Sequence, residues 1–242
     1  MLSVIGKLPS IPILLTTTGL FCFFVSCDSG DIHESEYIHD EGVALSATFR
    51  LNYPELYPDD YNFTFGAFTD AGSSPLVSVN LPRPDEEGNI DIRLENIPEE
   101  ATHIRLCFTD MGRQVKYTFF DQPIDRTSSG DIVLPEIKID LLEYNRIQQL
   151  VFQQYNCVSC HQGASGSANL LLTEGESYRQ LVNHPSTRSE KPRVVPYEPD
   201  NSFLLDVVTQ GDVISYPHTG LITRNDDLEL LRFWIGKGCP EN

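Results

Sequence analysis

Val43-Ala-Leu-Ser-Ala-Thr-Phe-Arg-Leu51 sets Val43, Leu45, Ala47, Phe49 and Leu51 on every second position. In an extended chain those side chains share one face. The pattern recurs at Phe63 and Phe65, at Val77, Val79 and Leu81, and at Ile90, Ile92 and Leu94. It returns at Ile104, Leu106 and Phe108, at Val115, Tyr117 and Phe119, and in a short pair, Ile132 and Leu134. Turn formers fill the gaps, as in Pro82-Arg-Pro-Asp85 and Asp110-Met-Gly112. Such spacing predicts an all-β antiparallel sandwich, Ig-like, over residues 42–139. It holds no catalytic constellation. Tyr53, Tyr57 and Tyr61 fall close together; they read as an aromatic strip for a partner, or as turn and edge residues.

After Asp140 the period changes. Ile147, Leu150 and Val151, three and four apart, predict a helix from about residue 141. Leu228, Leu231 and Trp234 predict another near the C-terminus, with Thr223 and Asp226 as a weak capping box and Gly236 and Gly238 as stops.

The first of these helices runs into Cys157-Val-Ser-Cys-His161. C-x-x-C-H is the attachment signature for c-type haem. Two thiols on one helical turn can each form a thioether to one porphyrin, and the next residue, His161, is placed to ligate the iron. The rival readings are a redox dithiol and half of a zinc site. A zinc site wants a second pair at similar spacing, and the chain has none. A thioredoxin-like dithiol wants a βαβ context, which is missing here.

Residues 144–239, about 40% of the chain, resemble a monohaem cytochrome c domain. The resemblance rests on Ile147–Gly163, Leu170–Tyr178, Leu181-Val182, Val194–Pro196, Pro199–Leu204 and Leu228–Gly238; its most specific parts are Cys157-Val-Ser-Cys-His161 and Trp234-Ile-Gly-Lys-Gly238. It implies a small all-α domain over residues 140–242 with covalent haem c at Cys157 and Cys160 and proximal ligand His161. It also implies a proline carbonyl, carried onto Pro196, that orients that histidine. The chain would then be multidomain, with a sandwich followed by a cytochrome.

The distal side departs from the family, which uses a Met-Pro loop. Of two methionines, Met1 is in the signal and Met111 in a sandwich turn. The equivalent loop reads Asp212-Val-Ile-Ser-Tyr-Pro-His218. His218 as sixth ligand, Tyr216 as ligand or filler, and an empty distal site all remain open. His184 is a lesser candidate, and His33 and His39 lie in a tether.

At the N-terminus, residues 11–25 are mostly apolar but fall short of the roughly 20 residues of a membrane span. They read as a secretory signal over residues 1–26. Phe24-Val-Ser-Cys27 resembles the lipobox of bacterial lipoproteins, with Cys27 lipidated. An acidic stretch, residues 27–41, reads as a tether. The chain carries 17 Lys+Arg against 35 Asp+Glu, a net charge of −18. That charge argues against nucleic acid and for partners with basic surfaces. Cys107 and Cys239 are the unassigned cysteines, and a disulfide between them is an expectation of the oxidising compartment.

These signs converge on a protein exported to the periplasm or cell surface, lipid-anchored to a bacterial membrane, that transfers electrons without turning over a substrate. A binding lipoprotein with an accessory haem, and a five-coordinate haem sensor or peroxidase, are the alternatives.

Overall fold

Residues 43–126, 130–164 and 166–242 are described in a computed structural model. The expected signal, the expected lipidation site Cys27 and the expected tether lie outside the described residues. Strand β1 (Val43–Asn52) places Leu45, Ala47, Phe49 and Leu51 in the interior, while Ser46, Thr48 and Arg50 face outward. It is the central strand of the first sheet. On one side it pairs antiparallel with β4 (Asn89–Ile97). On the other it pairs with β7 (Ile132–Val133) and β8 (Ile137–Asp140), both parallel. The second sheet runs in the order β3 (Val77–Asn80), β2 (Asn62–Phe68), β5 (His103–Thr109), β6 (Val115–Pro123), all antiparallel.

The sheets meet through aromatic side chains. Phe49 packs edge-on against Phe65 with ring centres 5.2 Å apart. Phe63, Phe108 and Phe119 contact one another at 4.8–5.3 Å. These distances suit edge-to-face contact, in which a ring's positive edge meets a negative face. The turn before β4 needs its glycine. Gly88 has φ +86°, and a Cβ there would lie 2.6 Å from the Leu51 carbonyl oxygen.

The expected all-α cytochrome c domain does not form after the sandwich. Beyond β8 the helices are few and short: α1 (Tyr144–Ile147), a π-helical run (Gln148–Gln153), α2 (Cys157–Cys160), α3 (Ser177–Leu181), α4 (Phe203–Thr209) and α5 (Asn225–Gly236). Gly163, Gly166, Gly175, Pro185, Pro192, Pro196 and Pro199 punctuate the stretch between α2 and α4, and these residues end helices. Two sheets of four strands dominate the chain instead. The sandwich is not purely antiparallel either, since β7 and β8 run parallel to β1. The N-cap of α5 is Arg224, with no side-chain cap bond, rather than Thr223.

Helices this short cannot bury their apolar faces alone. Leu141, Ile147, Leu150, Leu181, Leu230 and Trp234 join the same buried cluster as Phe49 and Phe65. Tyr144 of α1 packs on Trp234 of α5, ring centres 5.2 Å apart.

Polar groups cross the join as well. Arg146 is fully buried. It donates to the carbonyls of Leu141 (2.8 Å) and Leu56 (3.4 Å) and lies over the Phe108 ring at 4.8 Å. Asp227 of α5, also fully buried, accepts from Tyr155 (2.7 Å) and Tyr61 (3.3 Å). Burial lowers the Arg146 pKa to about 10, and the charge of Asp227 opposes that shift. Burial raises the pKa of Asp227, while the Tyr155 hydroxyl and Arg146 hold it down. Tyr53 and Tyr61 belong to this join and Tyr57 packs within the sandwich, so the three form no free strip. Tyr61 is buried and stacked on Phe108, Tyr53 packs on Phe233, and Tyr57 donates to the Leu81 carbonyl beneath Arg83.

The shared core predicts a single unfolding transition. Fluorescence of Trp234, the chain's one tryptophan, and far-ultraviolet circular dichroism should lose signal together in urea. Asp227→Ala should lower both midpoints together, at a cost of about 3 kcal/mol, because it removes the acceptor of the Tyr155 and Tyr61 hydroxyls and the opposite charge that eases the burial of Arg146. Two separate transitions would contradict the shared core.

Candidate site at the Cys157–His161 helix

The turn that follows the π-helical run ends at Asn156, which takes the left-handed conformation (φ 59°) that asparagine tolerates better than most residues. The chain then turns into α2, whose single turn carries Cys157 and Cys160 three positions apart, on one face. Cys157 is half-buried, its Sγ 3.9 Å from the Val151 carbonyl oxygen; Cys160 is exposed. Burial raises the Cys157 pKa, and Cys160 adds to the shift. A redox dithiol needs the opposite, a thiolate stabilised near neutral pH. Among the described residues no group of three or more His, Cys, Asp or Glu gathers as it would for a bare metal ion. A structural zinc site wants four ligands.

His161 caps α2, its amide donating to the carbonyls of Cys157 and Val158. Its Nδ1 lies 3.1 Å from the Ser167 carbonyl oxygen and 3.3 Å from that of Leu170. Carbonyls only accept, so Nδ1 carries the hydrogen and the neutral ring keeps its lone pair on Nε2. Burial holds the imidazole below its usual pKa. The hydrogen bonds to Leu170 and Ser167 oppose that shift, and nearby His218 reinforces it. The neutral form is the one that ligates.

The loop that presents these carbonyls is itself held. Gly166 (φ +53°) could not carry a Cβ, which would fall 2.2 Å from the Leu170 oxygen. Ala168 and Asn169 are both left-handed, at φ 56° and 52°. Buried Arg193 grips them, its Nη2 donating to the carbonyls of Asn169 (2.7 Å) and Ala168 (3.4 Å), while Nη1 reaches the carbonyl of Gln180 (2.8 Å). Beneath α1 and the π-helical run, buried Gln148 donates to the Leu172 carbonyl (2.9 Å) and accepts from Ser177, which accepts from Tyr144.

The carbonyls that meet His161 are thus those of Ser167 and Leu170, not of Pro196, which makes no hydrogen bond to it. Sequence reasoning missed Arg193 and Gly166. Arg193 gives no local signal, and Gly166 looks like any loop glycine.

His218 stands across from His161, with ring centres 6.3 Å apart and planes inclined by 41°. Its Nδ1 lies 2.8 Å from the Tyr216 carbonyl oxygen, which again leaves Nε2 free. The Tyr216 side chain is 65% exposed and Leu221 39%, so apolar surface is open on both sides of His218 in the chain. His184 turns its Nδ1 to the Pro185 carbonyl, 3.1 Å away, and takes no part in this pairing.

Cys107 and Cys239 are free thiols, unbonded to each other. Cys107 rests its Sγ 3.7 Å from the Thr64 carbonyl oxygen, between strands of the second sheet. Cys239 follows α5, and its carbonyl accepts from Tyr178. A groove of about 390 Å³ on the first sheet, lined by Ser46, Thr48, Asp91, Arg93 and Val133 among others, holds no nucleophile–base arrangement.

Comparison with protein-family models, with curated proteins and with solved structures finds no match to this chain.

Burial pushes the thiols of Cys107 and Cys239 up to about 12. In haem-free protein, iodoacetamide at about pH 8 should therefore alkylate Cys160 first and Cys157 more slowly, and Cys107 and Cys239 only after unfolding. Peptide mass mapping reads the order. Early labelling of Cys107 or Cys239 would contradict the placement.

Proposed function

We propose that Cys157, Cys160 and His161 hold a covalently attached c-type haem, and that the protein carries electrons. The observation that carries this reading is the joint one at α2. Two thiols share a single turn, and the histidine that follows them has its Nδ1 hydrogen committed to backbone carbonyls. A haem ligand of this kind is oriented by such an outer hydrogen bond, which also makes the ligating nitrogen more basic. The reading does not require the all-α cytochrome fold, because the chemistry resides in the site rather than in the architecture around it.

The haem would supply one-electron cycling of its iron. The chain's own groups do the rest. Cys157 and Cys160 anchor the porphyrin. The Ser167 and Leu170 carbonyls hold the His161 ring, and Arg193 keeps that loop in its left-handed shape. The charge of −18 favours redox partners with basic surfaces. The N-terminal sequence supports export and a lipid anchor at Cys27, which would confine such encounters to a membrane surface.

Full-length protein made with a haem-attachment system should carry haem that survives denaturing electrophoresis. The double variant Cys157→Ala/Cys160→Ala should lose it. Wild-type protein without covalent haem under those conditions would end this reading.

A further inference from the structure

Resting on that reading, we infer that His218 is the second axial ligand, making the site a bis-histidine one closed to external ligands. Two imidazoles on opposite sides of one metal, each bonded at about 2 Å, set their ring centres about 6 Å apart. The His161 and His218 rings stand 6.3 Å apart. The tautomers agree as well. Each ring gives its Nδ1 hydrogen to a backbone carbonyl, Ser167 and Leu170 for one and Tyr216 for the other, so both keep an Nε2 lone pair for the metal. His184 makes the same kind of Nδ1 bond, to the Pro185 carbonyl, so it is the ring pairing with His161 together with the tautomer that singles out His218.

Other candidates fall away on placement. Met111, the only methionine among the described residues, is 95% exposed in the turn between β5 and β6. The ring paired with His161 is that of His218, and His184 has no such ring contact among the described residues. Tyr216 turns its side chain largely to solvent and serves His218 through its main-chain oxygen, which makes it a positioning residue. Methionine ligation raises a haem's potential, so two histidines place this one lower than a histidine–methionine pair.

The test is the absorption spectrum of haem-loaded full-length protein, oxidised and reduced, with and without carbon monoxide. Wild type should be low-spin in both states and unmoved by carbon monoxide. His218→Ala should keep its covalent haem, turn high-spin and bind carbon monoxide, and added imidazole should restore the low-spin spectrum. His218→Met should stay low-spin with a raised midpoint potential, and Tyr216→Phe should behave as wild type. Covalent haem that binds carbon monoxide in the wild type, or a His218→Ala protein that stays low-spin and inert, would overturn the assignment while leaving the haem reading intact. Absence of covalent haem would overturn both.

Discussion

Arg146 and Asp227 bind the two halves of the sequence into one body. Each comes from a short helix, and each is buried where the helices meet the sandwich. Charges out of water are tolerated only with partners. Here the partners come from both halves: the Leu56 carbonyl and the Phe108 ring for the arginine, and the Tyr61 and Tyr155 hydroxyls for the aspartate. One polar atom on each side, Arg146 Nε and Asp227 Oδ1, has no hydrogen-bond partner. The two side chains form no direct ion pair, but their opposite charges oppose the effect of burial on each other. Around them the aromatic contacts run from Phe63 through Phe108 to Tyr61, and the cation–π contact of Arg224 on Tyr61, at 4.0 Å, closes the join.

The candidate site depends on that body for its shape. A helix of four residues has no stability of its own. α2 is fixed because the π-helical run before it is pinned in the core by Leu150, Val151 and Phe152 and by the bonds of Gln148. On the other side, Arg193 commits its donors to carbonyls of a loop with two left-handed residues. The loop in turn orients His161. This is a chain of positioning that runs from the core to one imidazole, and it does not need the crossed long helices of an all-α domain.

The strands were legible because burial on one face leaves a period of two. Leu45, Phe49, Phe65, Leu106 and Phe108 are all fully interior, as their alternation implied. Strand β8 was not legible: Ile137-Lys-Ile139 offers too few alternations. The parallel pairing of β7 and β8 with β1 was equally hidden, because strand direction follows from how the chain returns from the second sheet to β1. The cytochrome-like periodicity after Asp140 misled about architecture. Its apolar positions are real, but besides packing on one another they join the core of the sandwich. Tyr61, read as part of an aromatic strip or as a turn and edge residue, instead stacks its ring on Phe108 and donates its hydroxyl to Asp227.

The sequence by itself determined the chemistry on offer: two thiols and a histidine within five residues, acidic charge, and a mostly apolar stretch before Cys27. Those are properties of covalent order and survive any fold. Only the tertiary structure decided that helices and sandwich share a core, that Ser167 and Leu170 rather than Pro196 hold His161, and that His218 stands opposite it. Each of these joins groups distant along the chain. Such contacts form when the surfaces they bury together outweigh the entropy of closing the loop between them, and no local pattern records that balance.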